Sequence, residues 1–184
     1  MSFSYSRRAR GQRLTRRDRT RQAEQGFTCR HCNMYVSCAP ELAGVQNRNH
    51  CPHCLWSRHL DGRVAGDRRS ACRAAMRPIG LTTKLRRNKY ASERDGELMV
   101  IHRCTVCAKV AVNRIAADDS AAALLELFAA SCGQAAELQA ELAGMGILML
   151  TADDGGLVRR RLFGNAAAPD VSGGALPAPE LAVR

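Results

Sequence analysis

The middle of the chain contains short apolar runs bounded by turn and polar residues, which is typical of strands. Residues 79–85 and 98–103 are the two longest such runs, and Asp95-Gly96 supplies a turn signal between them. Shorter runs at 34–36 and 110–115 predict two further strands, the first ended by Pro40 and a polar loop over 41–49. The pattern predicts a small unit built on short strands.

The pattern changes to helical spacing after residue 118. Asp118 or Asp119 is predicted to cap a helix whose apolar face is formed by Ala121, Leu124, Leu125, Phe128 and Cys132 and which ends at Gly133. A second helix is predicted over 134–143, with Leu138 and Leu142 on its apolar side. Residues 147–151 and 157–163 then predict a β-hairpin around a Gly-containing loop. The fold class is therefore α+β.

Both ends of the chain lack a regular apolar pattern. Residues 1–25 form an arginine-rich arm, and residues 166–184 are rich in Ala, Pro and Gly. We expect both to be disordered, which leaves a unit over 26–120 and a helix-and-hairpin extension over 121–165.

Cysteines offer an alternative to a large core. Only 4% of the 184 residues are aromatic, with Trp56 as the single tryptophan, while nine are cysteines. Metal crosslinks can replace core size in a small domain. The doubled Cys-x2-Cys spacing of Cys29, Cys32, Cys51 and Cys54 predicts a tetrahedral zinc site. Pro52 suits the start of a short helix, so a treble clef and a zinc ribbon both remain open.

A third Cys-x2-Cys pair, Cys104 and Cys107, predicts a second site. Cys72 is the nearest unassigned upstream cysteine, although a buried core thiol is its alternative role. His59 is preferred as the fourth ligand over His102, which lies on the strand entering its own knuckle. Two Zn2+ ions with saturated ligand sets are expected to be structural rather than catalytic.

The formal charge of +11 is concentrated in the arm. Residues 7–21 hold eight arginines against one acid, and we expect these to contact nucleic-acid phosphates: Arg7, Arg8, Arg10, Arg13, Arg16, Arg17, Arg19 and Arg21. Further basic patches lie at 84–89 and 159–161. The N-terminus has no apolar run typical of a signal peptide, and no run is long enough for a membrane span, so a cytoplasmic protein with reduced cysteines is predicted.

Several uncommon motifs occur together in one order and spacing. They are Phe27-Thr28-Cys29-x2-Cys32, Arg48-Asn49-His50-Cys51-Pro52-x-Cys54, Gly66-Asp67-Arg68, His102-x-Cys104-x2-Cys107 and Asn113-Arg114-Ile115-Ala116-x-Asp118-Asp119. Over about residues 26–120 the chain resembles the RNHCP domain family, a small, mainly bacterial domain. The resemblance implies zinc binding through these cysteines and leaves the activity open. Arg48, Asn49 and His50 are not needed as ligands, and they either buttress the knuckle by hydrogen bonds or face a ligand.

Three functions compete. The favoured hypothesis is a zinc-stabilised RNA-binding protein associated with rRNA or the ribosome. A DNA-binding or protein-interaction adaptor, using the predicted helices as a partner surface, is the alternative. A metal-dependent nuclease is the third, with a centre drawn from His50, His59, Asp61, Asp118 and Asp119.

Overall fold

We analysed a computed structural model, which describes residues 26–84 and 96–164. The predicted arm and C-terminal tail, and the basic patch beyond Lys84, lie outside the described residues. So does Asp95 of the predicted turn. No helix in the described part of the chain is long and apolar enough to cross a membrane.

The N-terminal part is a two-stranded ribbon followed by a short helix. β1 (Phe27–Thr28) pairs antiparallel with β2 (Tyr35–Val36). The predicted polar loop after Pro40 begins instead as helix α1 (Pro40–Ala43), with the proline in its first turn. Gly44 ends α1 in the left-handed conformation, at φ 66°.

The main sheet has four antiparallel strands in the order β3-β4-β5-β6. They are β3 (Ser57–Arg58), β4 (Ala75–Lys84), β5 (Glu97–Cys104) and β6 (Val110–Arg114). The strands predicted at 79–85, 98–103 and 110–115 correspond to β4, β5 and β6, and β4 begins four residues earlier than predicted.

Two predicted helices are present as α2 (Ala121–Cys132) and α3 (Ala136–Gly144), and Gly133 ends the first as predicted. The prediction of its N-cap was wrong. Ser120 caps α2, and its hydroxyl accepts a 3.2 Å hydrogen bond from the backbone N–H of Ala123. Asp118 and Asp119 make other contacts, described below.

The predicted β-hairpin over 147–163 was also wrong. Met149 forms only an isolated bridge to Thr82, and the second half of the segment is helix α4 (Gly155–Phe163) after a 3-10 turn over Ala152–Asp154. Thr151 and Asp154 form a reciprocal capping box that starts this helical segment. This local signal outweighs the turn tendency of the adjacent glycines.

Aliphatic clusters on the sheet and helices form most of the core. In β5, Val100 and Ile101 point to opposite sides and belong to different clusters. Val100 packs with Leu124 of α2 and Val158 of α4, while Ile101 packs with Leu142 of α3. A third, smaller cluster lies in the N-terminal ribbon and consists largely of cysteines.

Candidate metal centres

Four cysteines of the ribbon region form the first cluster: Cys29, Cys32, Cys51 and Cys54. Their sulfur atoms lie within 4.8 Å of one another, with Cys29–Cys54 and Cys32–Cys51 separations of 3.6 Å. Zinc–sulfur bonds of about 2.3 Å in a tetrahedron place sulfurs ~3.8 Å apart, whereas a disulfide bond is about 2.0 Å. The donor set and spacing therefore fit Zn2+.

The two cysteine pairs lie in turns of the same kind. In the first turn, the N–H of Cys29 donates to the carbonyl of Met34 at 2.9 Å, and in the second the N–H of Cys51 donates to that of Trp56 at 2.9 Å. Asn33 and Leu55 each adopt a φ of 60° one residue after their cysteine pair. Pro52 lies in a turn and begins no helix, so the treble-clef alternative is not formed at this pair.

The second cluster joins four side chains that are spread over 49 positions of the chain, from His59 to Cys107, with Cys72 and Cys104 between them. The Cys72 and Cys104 sulfurs are 3.7 Å apart, and Nδ1 of His59 is 3.3 Å from the Cys107 sulfur. Three thiolates and one imidazole are a common ligand set for structural zinc. These separations also fit the tetrahedral arrangement.

Separate elements position the second cluster. His59 directly follows β3, Cys72 precedes β4, and Cys104 ends β5. The turn to β6 repeats the geometry of the first cluster, because the N–H of Cys104 donates to the carbonyl of Lys109 at 2.9 Å. Burial opposes ionisation of the Cys104 thiol, but the backbone amides of Cys107 and Val106, together with the Cys107 and His59 side chains, lower its pKa to about 6. The turn thus favours the thiolate that a metal requires.

His102, the alternative fourth ligand, lies apart from the second cluster. Its Nε2 is 2.7 Å from the carbonyl oxygen of Leu55, and its Nδ1 is 2.9 Å from the amide nitrogen of Asn113. The carbonyl accepts, so Nε2 carries the proton and Nδ1 accepts from the amide. Burial, followed by the nearby His50 ring, lowers the pKa of His102 to about 3. A neutral imidazole with both nitrogens engaged has no position left for a metal.

Arg48 is fully buried and binds two carboxylates. Its Nη1 donates to Asp118 at 2.7 Å, its Nη2 donates to Asp119 at 3.0 Å, and its Nε donates to the carbonyl of His50 at 3.1 Å. The side chains of Arg48 and Asp119 are both 0% exposed. This salt bridge fixes the segment before α2 against the second cysteine turn.

His50 shares the same carboxylate. Its Nε2 is 2.7 Å from Oδ2 of Asp119, which also accepts the backbone N–H of Ala116 at 2.8 Å. The imidazole is 2% exposed. A buried ring paired in this way braces the fold from inside and does not face a ligand in solvent.

Asn49 connects the motif to the loop before Cys72. Its amide nitrogen donates to Asp61 at 3.0 Å, and its amide oxygen accepts from the guanidinium of Arg68. The backbone N–H of Arg68 in turn donates to Asp61 at 3.1 Å. We predicted that Arg48, Asn49 and His50 either buttress the knuckle or face a ligand. In the described part of the chain, their partners are these carboxylates, the Arg68 guanidinium and backbone groups, with no hydrogen bond to a cysteine sulfur.

The five residues considered for a nuclease do not meet at one open site. His50 and Asp119 form the buried pair, and Asp118 binds Arg48. His59 belongs to the second cluster, while Asp61 holds Asn49 and Arg68. Within residues 26–84 and 96–164, the groups with metal-ligand geometry are the two clusters already described.

The eight arginines predicted to contact nucleic acid lie outside the described residues.

Two features of the site were not predicted from the sequence. The His31 ring stacks on Trp56, with centroids 4.3 Å apart and planes 10° apart. Asp118 or Asp119 was predicted to cap a helix. The only sequence signal of a buried partner for them was that Arg48, Asn49 and His50 directly precede a Cys-x2-Cys pair.

The model of the RNHCP domain matches residues 24–125, which is more than half of the chain and includes both metal clusters and the Asp118-Asp119 pair. Neither a search of curated proteins nor a search of solved structures found a match. The chain therefore belongs to the RNHCP domain family.

Proposed function

We propose that this protein is a zinc-stabilised RNA-binding module that associates with the ribosome, and that its N-terminal arm contacts RNA phosphates. The charge distribution is the observation that carries the proposal. Eight arginines stand against one acid over residues 7–21, and residues 26–84 add nine Arg and Lys side chains against three Asp and Glu. A strongly basic arm joined to a segment with a smaller positive charge is the electrostatic footprint of a polyanion-binding protein.

The contacts of the domain favour binding over catalysis. Each cluster has four protein donors, so a bound zinc ion keeps no open position for water or substrate. The His50 and Asp119 side chains that a nuclease would need are engaged in a buried pair, and Asp118 binds Arg48. The metal clusters and the Arg48 salt bridge then stabilise the domain that follows the arm in the sequence.

The positive charge of the arm favours a nucleic acid as the binding partner. Each arginine that neutralises a phosphate releases condensed counterions, so affinity falls steeply as salt rises, with a slope of about −0.7 per contact on single strands. Ribosomal RNA offers a dense array of phosphates, and arginine forms bidentate contacts with them.

The test compares two full-length variants. In the first, the eight arm arginines are replaced by glutamine, and in the matched control they are replaced by lysine. We expect the wild type and the lysine control to sediment with ribosomes at low salt and the glutamine variant to remain in the supernatant. Unchanged sedimentation of the glutamine variant would remove the arm from the account. Equal displacement by duplex DNA and by rRNA fragments would argue for a general polyanion binder.

A further inference from the structure

The two turns of the first metal cluster bring two aromatic rings together. The His31 ring lies almost parallel to the Trp56 ring, with centroids 4.3 Å apart and planes 10° apart. His31 belongs to the turn between Cys29 and Cys32, whereas the carbonyl of Trp56 accepts the N–H of Cys51 at the end of the other turn. Because the cysteines of this cluster come from both turns, a bound metal ion fixes the two rings relative to each other.

Trp56 is the single tryptophan of the chain, and it takes no part in the hydrophobic core. Phe27 and Phe128 pack against core clusters, but neither Trp56 nor His31 belongs to any of the three clusters of the described residues. Large aromatic side chains usually contribute strongly to a core or to an interface. A half-buried tryptophan beneath an exposed histidine therefore indicates an interface.

The outer face of the His31 ring is open to solvent. One face of the imidazole lies on Trp56, and His31 is exposed. Its backbone N–H donates to the Cys29 sulfur at 3.4 Å, but neither ring nitrogen has a hydrogen-bond partner within residues 26–84 and 96–164. A planar ring with an open face and unpaired nitrogen atoms suits a flat ligand that carries polar groups at its edge.

The turn geometry itself does not require this stack. The first cysteine of each turn donates its N–H to the residue five positions later, which is Met34 in one turn and Trp56 in the other. His53 occupies the position that corresponds to His31. Met34 and His53 are both exposed, and the ring contacts of the described chain do not include His53. The stack is therefore a property of one side of the cluster.

Neither turn carries an acidic side chain. Residues 29–34 and 51–56 contain no Asp or Glu, and Arg30, directly before His31, is exposed. A polyanion therefore meets no repelling carboxylate in these two segments. Single-stranded nucleic acids stack their bases on aromatic and histidine rings, beside cations that contact the phosphates.

We propose that the His31–Trp56 stack is a base-binding platform, on which an unpaired base of RNA stacks against the open face of His31. The identification of the ligand as RNA rests on the proposed function. The platform supplies a contact to bases, which differs from the contacts to phosphates proposed for the arm. It favours single-stranded loops, because their bases are free to stack.

The first measurement uses Trp56 as a reporter in the full-length, zinc-bound chain. Since the chain has no other tryptophan, its intrinsic fluorescence should be quenched when a short oligouridylate binds. Inorganic polyphosphate is a polyanion without bases, so it should cause no quenching. Anisotropy of a labelled oligouridylate measures RNA binding separately. Binding without quenching, or equal quenching by polyphosphate, would overturn the platform.

The second measurement removes the platform. The variant is His31→Ala with Trp56→Ala, and the matched control is His53→Ala with Met34→Ala, at the equivalent positions of the other turn. Stacking of one base typically changes affinity by about tenfold or more. We expect the platform variant to bind oligouridylate about tenfold more weakly and the control to match the wild type. Zinc content is measured for both, and if the platform variant loses zinc, the quenching in the wild type decides the proposal.

The outcomes separate this proposal from the proposed function. Equal affinities of the platform variant and the control, with ribosome binding lost in the arm glutamine variant, would refute the platform and leave the proposed function intact. A wild type that sediments with ribosomes but has no affinity for oligouridylate would have the same meaning. A wild type that binds neither ribosomes nor oligouridylate would refute both proposals.

Discussion

The two metal clusters stabilise their surroundings in different ways. The first lies in a ribbon whose strands have two residues each, and its local hydrophobic cluster consists of four cysteines with Val36 and Phe27. The second lies beside β4 and β5, which have ten and eight residues and are covered by aliphatic clusters. In the ribbon region, the candidate metal ligands form most of the core. In the sheet region, they lie beside an aliphatic core that exists without them.

This difference shows where a metal replaces hydrophobic burial. A two-residue ribbon cannot bury enough apolar surface to order itself, so we expect its folding free energy to depend on the metal ion that the first cluster could hold. The sheet has aliphatic packing of its own, and the second cluster mainly closes the 60–74 loop and the turn into β6. Loss of the metal from the first cluster should therefore destabilise its region more than loss of the metal from the second cluster destabilises the sheet.

The largest effect is expected for Cys51→Ser, because Cys51 is fully buried in the first cluster. We expect one zinc per chain, with loss of amide protection over residues 26–58 and retained protection in β4 and β5. Hydrogen exchange followed by mass spectrometry measures both regions. Cys132→Ser is the matched control, since this half-buried thiol belongs to neither cluster. Protection lost evenly over the whole chain would remove the distinction between the two regions.

A smaller effect is expected for Cys107→Ser. This ligand is exposed, and the strands it joins keep their aliphatic packing. The variant should also hold one zinc, with faster exchange over the 60–74 loop and a higher midpoint of denaturation than Cys51→Ser. A lower midpoint than that of Cys51→Ser would reverse the comparison.

The third largest effect is expected for variants of the Arg48 salt bridge. Asp119→Asn leaves a fully buried guanidinium short of its charge partner, and breaking a buried ion pair costs about 3–5 kcal/mol of unfolding free energy. Asp118→Asn should cost about 1 kcal/mol or less, because the Asp118 side chain is 37% exposed. Chemical denaturation gives both values. Zinc content should stay at two in both variants, and equal losses of stability would contradict the buried role of Asp119.

The smallest effect concerns Asp67 in the loop of the second cluster. Backbone amides of Gly62 and Arg69, and then that of Val64, lower the pKa of Asp67 to about 2. A lowered carboxyl pKa stabilises the folded loop above about pH 4, and this contribution is lost as the pH falls toward 2. At pH 7 it is fully present, so Asp67→Asn should accelerate amide exchange at Gly62 and Arg69 while the midpoint of denaturation stays nearly unchanged. Unaltered exchange at both amides would show that the carboxylate does not order the loop.

Local features of the fold could be predicted from the sequence. The Cys-x2-Cys spacing located three pairs of candidate ligands, and short apolar runs located β4, β5 and β6, because both signals involve neighbouring residues. The members of the second cluster could be proposed because few cysteines were left unassigned.

Contacts between distant residues could not be predicted in this way. Arg48 and Asp119 are 71 positions apart, so the local pattern favoured a helix cap for Asp119 over a buried salt bridge. The prediction of a hairpin over 147–163 was wrong for a local reason. Gly155 and Gly156 are typical turn residues, but the Thr151–Asp154 capping box begins a helix there.

Native mass spectrometry of the full-length chain tests most directly the claim that there are two separate four-ligand metal centres. We expect two zinc ions per chain with all nine cysteines reduced, and one zinc ion in Cys107→Ser. A folded wild type that holds one zinc ion or none, or that pairs these cysteines in disulfides, would contradict it.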